Sequence, residues 1–270
     1  MLSKKLNNGT TMPQLGFGTW RIKDEAECTA AVKAAIEAGY RHFDTAQIYE
    51  NEALVGKALK GSGIDRKDLF ITTKIWNDNM WWTDLEESFD GSLKNLQTDY
   101  VDLLLLHFPV TELRRPAWRL MEKIAQSGRA KAIGVSNYTI THLEELLKES
   151  SIKPVVNQVE LHVYLQQPQL VAFCQKHDIV VEAYSPLAHG YGLDNPTLAQ
   201  IGKQYGKTPA QIMIRWCIEQ GTVPLPKSTH AQRIKENIDV FDFKLSKNDL
   251  QKIDKLEQDY RTCWDPTHIA

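Results

Sequence analysis

Apolar residues recur along the chain in two alternating rhythms. Short runs rich in β-branched residues, at 15–18, 41–44, 70–74, 101–107, 132–136, 155–160, 179–184 and 223–226, have the length of buried strands. Between them, apolar positions three and four apart predict helices at 26–38, 51–59, 84–96, 116–127, 140–148, 168–177 and 210–220. In the first of these, Ala30, Ala31, Ala34, Ala35 and Ala38 mark one face, and Gly39 stands where the helix should stop. Thr208-Pro209 puts a cap residue before a proline at the first position of the last. Ahead of them all, Asn8-Gly9 signals a tight hairpin. Eight strands alternating with helices predict a parallel sheet closed into a (β/α)8 TIM barrel, a single domain over residues 1–270, with the N-terminal hairpin capping the barrel bottom. The rival is an open doubly wound sheet. Its phosphate-loop patterns are missing, and Gly16-Phe17-Gly18-Thr19-Trp20 lacks the third glycine, so the barrel is preferred.

Composition narrows the function classes. The 270 residues carry 32 Lys+Arg against 34 Asp+Glu, a net charge of −2, which argues against an electrostatic binder of nucleic acid or anionic membrane. No apolar run approaches the roughly 20 residues of a membrane span. The opening MLSKKLNNGT has no apolar signal core, so a cytoplasmic protein is expected. Cys28, Cys174, Cys217 and Cys263 stand far apart with no CxxC pair, which predicts reduced thiols and no zinc framework. No apolar surface stripe suggests an obligate dimer, and a monomer is expected.

In a barrel of this kind the C-terminal ends of the strands surround the active site. Those ends read Asp44, Lys74, His107, Ser136-Asn137, Gln158, Tyr184-Ser185 and Lys227-Ser228, nearly all able to donate, accept or carry charge. Asp44 alone reads as readily as an N-cap for the next helix. His42-Phe43-Asp44 superficially resembles a metal-ligand triplet, but the neighbouring strand end offers the cation Lys74, so no metal is expected. Lys74, ending a buried strand, needs a partner, and Asp44 is available. A self-satisfied ion pair would explain those two alone. Tyr49 and His107 change the picture. An ammonium beside a phenol lowers its pKa toward use as an acid, and an imidazole N–H can stabilise negative charge developing on a carbonyl oxygen. Together the four suggest carbonyl reduction, which requires a hydride-supplying cofactor. Tyr184 can stack on a flat ring, and Ser136, Asn137 and Gln158 can hydrogen-bond an amide. After the eighth strand, Lys227, Ser228, Thr229 and Arg233 open a helix with two cations where the helix dipole favours anions. That points to a bound phosphate, and to NADP(H) over NAD(H).

The motifs Gly16-Phe17-Gly18-Thr19-Trp20, Asp44 to Glu52, Thr73-Lys74-Ile75-Trp76-Asn77 and Leu106-His107-Phe108-Pro109 resemble those of the aldo-keto reductases. So do Gly134 to Tyr138, Asn157-Gln158-Val159-Glu160, and Pro226 to Thr229 with Arg233, Glu236 and Asn237. Within the family, the stretches around Asp44, Lys74 and Thr98 to Asp102 look most like the bacterial 2,5-diketo-D-gluconate reductase B group, whose members also reduce methylglyoxal and other small α-dicarbonyls. The resemblance implies a catalytic tetrad of Asp44, Tyr49, Lys74 and His107, with Tyr49 as the acid. It implies NADPH/NADP+ held by Thr19, Trp20, Asp44, Ser136, Asn137, Gln158, Tyr184, Ser185, Pro186, Leu187, Lys227, Ser228, Thr229, Arg233, Glu236 and Asn237. The small-molecule carbonyl would lie among Trp20, Tyr49, Trp76, His107 and Phe108. Phe108 stands where the family usually has Trp, and the Met80-Trp81-Trp82 loop is unusual. Trp81 joins the pocket candidates, although it and Phe108 read equally as packing. The tail after Asp259 is expected to close the pocket, through Trp264 or His268. A non-catalytic member of the fold and a metal-dependent barrel hydrolase are the competing classes.

Overall fold

The computed structural model describes residues 2–81 and 83–269. Strands β1 (Ser3–Lys5) and β2 (Thr11–Pro13) pair antiparallel across the Asn8-Gly9 turn, with Gly9 at φ +90°. Eight parallel strands follow: β3 (Phe17–Gly18), β4 (His42–Asp44), β5 (Phe70–Ile75), β6 (Leu103–Leu106), β7 (Ile133–Ser136), β8 (Val156–Glu160), β9 (Val180–Tyr184) and β10 (Val223–Pro224). Each lies beside its neighbour in sequence.

The seam between the last strand and the first is held by an unusual division of labour. Pro224 and Pro226 have no N–H to offer, so this edge can only accept. Gly16 N donates to the Pro224 carbonyl at 3.0 Å and Gly18 N to that of Pro226 at 3.2 Å, closing the barrel. A Cβ on Gly16 would lie 2.5 Å from Leu225 Cδ2 and 2.7 Å from His42 Nδ1, so glycine is required for this approach.

Strand alternation sorts the interior. In β6, Leu103 and Leu105 turn into the lumen while Leu104 and Leu106 pack outward under the helices. The lower lumen is apolar. Phe70, Leu103, Leu105, Val155, Val156 and Val223 pack there with Leu6 and Met12 of the hairpin region, which plugs the barrel floor as the sequence predicts. Higher in the lumen, the inward positions become His42, Asp44, Thr72, Lys74, Gln158 and Glu182, all buried.

The predicted helices are present as α1 (Glu25–Ala38), α2 (Glu52–Lys60), α3 (Leu85–Leu96), α4 (Arg114–Gln126), α5 (Ile140–Glu149) and α6 (Pro168–Lys176). Two more, α7 (Pro196–Tyr205) and α8 (Pro209–Glu219), both follow β9, and α9 (Ala231–Ile238) and α10 (Lys247–Asp254) complete the chain. Pattern reading misses α7 and α10 as helices of their own. Side-chain caps start both: Asn195 accepts from Thr197 N, and Ser246 from Asp249 N. Among the described residues no helix is long and apolar enough to cross a membrane.

The loop carrying Tyr49 leads straight into α2, whose packing on α3 is close. A Cβ on Gly56 would sit 2.5 Å from the Asn95 carbonyl oxygen and 2.6 Å from the Leu96 backbone, neither of which can turn aside. Gly56→Ala is therefore expected to destabilise the fold by about 1–3 kcal/mol despite its better helix propensity. Urea unfolding would show it as a lower midpoint with an unchanged slope.

Candidate active site

A contact between opposite walls of the barrel defines the site. Asp44 on β4 and Gln158 on β8 are separated by three strands either way around, yet Gln158 Nε2 donates to Asp44 Oδ2 at 2.9 Å. That bond crosses the lumen. The other oxygen, Oδ1, accepts from Lys74 Nζ at 2.6 Å, and Nζ also donates to the Thr45 carbonyl at 3.0 Å and reaches the Tyr49 hydroxyl at 3.2 Å. Lys74 is fully buried. Burial pulls its pKa down, but Asp44 and Tyr49 outweigh that, and the ammonium stays charged with its pKa above the ordinary value.

Tyr49 departs from the expectation that Lys74 brings its pKa down toward neutrality. Burial is the larger effect and raises the phenol above its usual value, while Lys74 only offsets part of the rise. The hydroxyl thus holds its proton firmly, and its phenolate would form facing an ammonium. The His107 ring stands edge-on to Tyr49 at 5.9 Å and to Trp76 at 5.3 Å. Burial and Lys74 hold His107 well below the ordinary imidazole value, so it is a neutral N–H donor.

The four predicted catalytic residues are brought together. Asn51 explains part of how: its amide donates to the Thr19 and Ile22 carbonyls and accepts from Thr45 Oγ1 at 2.7 Å, tying the loops after β3 and β4. Gln47 does the same for Trp76, accepting from its backbone N at 2.7 Å. Neither Asn51 nor Gln47 stands out in the sequence, since both act through loop geometry.

The predicted cofactor residues divide into three groups. Thr19 is buried, with its hydroxyl committed to the Asp44 carbonyl at 2.8 Å, which makes it a scaffold for the site. Ser136 Oγ donates to the Gln158 carbonyl at 2.8 Å, and Asn137 donates to the His107 carbonyl and accepts from the Tyr184 hydroxyl at 2.8 Å. These side chains already fix one another. Ser185, at φ +48°, bonds His189 at 3.0 Å, beside buried Pro186 and half-buried Leu187. Further round the rim, Lys227 and Arg233 are exposed and make no ion pair among the described residues. Ser228 is buried and accepts from His230 N, Thr229 is half-buried, Glu236 accepts from Gln232, and Asn237 is buried.

Of the pocket candidates, Trp76 and Phe108 form a wall with Trp264, at centroid distances of 5.8 Å and 6.5 Å. Trp20 instead stacks on His189 at 5.3 Å. Trp81 is half exposed, Met80 is buried in the core, and Trp82 lies outside the described residues. The tail reaches the site through Trp264. His268 does not reach it; it is exposed and 3.7 Å from Asp265.

One carboxylate straps that tail across the barrel mouth. Glu160, ending β8, accepts from Thr262 N at 2.7 Å, from Thr262 Oγ1 and from Cys263 N at 3.2 Å. Cys263 Sγ lies 3.6 Å from Ser185 Oγ and 3.7 Å from His189 Nε2, bridging to the loop after β9. Burial would raise Glu160, but the bonds from His162 and Thr262 more than offset it and hold the carboxyl below its usual value. The folded group titrates lower than the unfolded one, so its contribution to stability is full above about pH 5 and fades on acidification.

The fold and site together define an oxidoreductase. Residues 14–258 match the Aldo/keto reductase family, and the chain belongs to that family. Glyoxal reductase from Bacillus subtilis (strain 168) is 46% identical over 98% of this chain and 96% of its own length. Methylglyoxal reductase DkgA from Escherichia coli O157:H7 is 47% identical over 98% of this chain and 97% of its own. The Bombyx mori aldo-keto reductase, solved in complex with NADP, superposes with a TM-score of 0.92 at 37% identity, covering 96% of this chain and 94% of that one.

If Glu160 alone anchors the tail, Glu160→Ala should expose the bond after Arg261 to trypsin at least several-fold faster than in the wild type. Mass spectrometry of the released C-terminal peptide would follow it, and an unchanged rate would show that the remaining contacts, among them Trp264 packing, the Tyr260 N bond to the Tyr164 carbonyl and the Ile269 carbonyl beside His142, hold the tail without Glu160.

Proposed function

We propose that the protein is an NADPH-dependent carbonyl reductase of small dicarbonyls or keto-sugar acids, such as methylglyoxal or 2,5-diketo-D-gluconate. The observation that carries this reading is the Tyr49–Lys74–Asp44 chain, with separations of 3.2 and 2.6 Å, beside the neutral His107. The residues fit a dinucleotide phosphate. Among the described residues Gln158 keeps an amide oxygen free of internal bonds, the Tyr184 ring is tethered through its hydroxyl, and the exposed cations Lys227 and Arg233 make no ion pair. Ser136, Asn137 and Gln158 would hold the carboxamide, Tyr184 the ring, and Lys227 to Asn237 the 2′-phosphate. When bound, NADPH supplies the hydride.

The chain's own residues do the rest. His107 donates to the carbonyl oxygen and orients it. As negative charge grows on that oxygen it becomes a far stronger base than a phenolate and takes the Tyr49 proton. The Lys74 ammonium faces the phenolate left behind, and Asp44 keeps that ammonium charged and in place. A raised phenol pKa suits this role, because the acid stays protonated until the strong base forms. The aromatic wall of Trp76, Phe108 and Trp264 limits the room for a substrate, and the names of the two relatives support small dicarbonyls.

Tyr49→Phe is expected to lower turnover by about 10²–10⁴-fold with NADPH affinity changed less than twofold. Substantial turnover in that variant would remove Tyr49 as the acid. Arg233→Ala should weaken NADPH by about tenfold or more and leave NADH nearly unaffected; an equal loss for both would refute the 2′-phosphate assignment. NADPH oxidation against methylglyoxal, 2,5-diketogluconate, a β-keto ester and an aromatic aldehyde ranks the substrates. Tight NADPH binding with no turnover on any of them would favour a non-catalytic role.

A further inference from the structure

Beneath the site lies a carboxyl group that the proposed chemistry leaves unused. Glu182, the third residue of β9, is fully buried, in a lumen it shares with Asp44, Lys74 and His42. Its Oε2 accepts from Gln158 Nε2 at 2.8 Å. The same nitrogen donates to Asp44 Oδ2 at 2.9 Å, so both amide protons of Gln158 are taken by carboxyl oxygens on two different strands.

This arrangement leaves Gln158 one orientation. Turning the amide over would set Oε1, which has no proton, against the Asp44 carboxylate and against Glu182 Oε2, the carbonyl oxygen of that group when its proton lies on the other oxygen, with both left unsatisfied. With the nitrogen pinned from both sides, none of the hydrogen bonds of Gln158 among the described residues ends on Oε1. Asp44 alone would engage one amide proton and leave the other without an acceptor, so the second clamp is what completes the choice.

We propose that Glu182 is a positioning residue which, with Asp44, locks the Gln158 amide so that Oε1 is presented as a fixed acceptor for the carboxamide amine of the nicotinamide ring. The inference rests on the functional reading above and adds to it a residue that touches neither cofactor nor substrate.

Two carboxyl groups sharing one amide would repel if both were charged. Burial, and Asp44 nearby, push Glu182 up to about 8, so at neutral pH it is an uncharged acid. Its other oxygen, Oε1, lies 3.5 Å from His42 Nε2. Burial and Lys74 hold that imidazole down to about 3, so the two meet as neutral groups, with the acid proton on Oε1 toward the imidazole and Oε2 left as the carbonyl acceptor for Gln158. A glutamine at 182 would reproduce this state, with an oxygen toward Gln158 and an NH2 toward His42, whereas a leucine would fill the space and offer no acceptor.

The test compares NADPH with its 3-acetylpyridine analogue, in which a methyl group replaces the carboxamide amine. Dissociation constants are measured by fluorescence titration for the wild type, Glu182→Leu and Glu182→Gln. The wild type should prefer NADPH by about tenfold, the worth of one well-placed hydrogen bond. In Glu182→Leu that ratio should fall toward one, mainly through weaker NADPH binding, and Glu182→Gln should restore it. Should leucine not fold, Glu182→Ser, too short to reach Gln158, makes the same comparison. A wild-type ratio near one, a ratio unchanged by leucine or serine, or a ratio lost equally in Glu182→Gln would each overturn the assignment while leaving NADPH binding intact. Failure of the wild type to bind NADPH at all would instead overturn the functional reading, and this inference with it.

Discussion

Everything at the mouth of this barrel depends on one buried cation. A fully buried ammonium is tolerated only when well paired, and Lys74 is satisfied by Asp44, the Thr45 carbonyl and the Tyr49 hydroxyl. Those partners come from one strand and the loop that follows it, so satisfying Lys74 also shapes the loop that carries the acid. Asp44, in turn, has a second oxygen to satisfy, and that draws Gln158 across from the far wall. A single desolvated charge thereby sets the spacing of three strands. The apolar floor makes this possible, because Leu6 and Met12 pack beneath the polar layer with the lower lumen residues.

Much of this was legible in the chain. The strand positions follow from short β-branched runs, and the polar residues terminating those runs are the ones that meet in the lumen. What eluded pattern reading shares a physical cause. Glu182 sits in Val-Val-Glu-Ala-Tyr, where alternation alone permits either face, and only closure of the barrel brings it to Gln158. Glu160 likewise gains its partners from a segment about 100 residues away with no periodicity to mark it. The shift of Tyr49 differs from the sequence expectation for a related reason. Proximity to a lysine can be inferred from neighbouring strands, but the depth of burial that outweighs it cannot.

The loops show how rigidity and opening are divided. Asn51 and Gln47 tie the catalytic side with neutral hydrogen bonds to backbone groups. On the opposite side, contacts between Trp20 and His189 and between Cys263 and Ser185 are stacking and weak sulfur interactions. The predicted catalytic groups are therefore held by bonds that resist separation, while the loops on the opposite side meet through weaker contacts.

The seam between β3 and β10 has a consequence for how the molecule comes into being. Gly16 and Gly18 emerge early in synthesis, yet the carbonyls of Pro224 and Pro226 that receive their protons follow only about 200 residues later. Until then the first strand has an unpaired edge and the hairpin plug has an incomplete lumen to fill. Closure is necessarily a late event on the ribosome, and because the waiting strand is two residues long and half glycine, it offers other chains little edge on which to pair in the meantime.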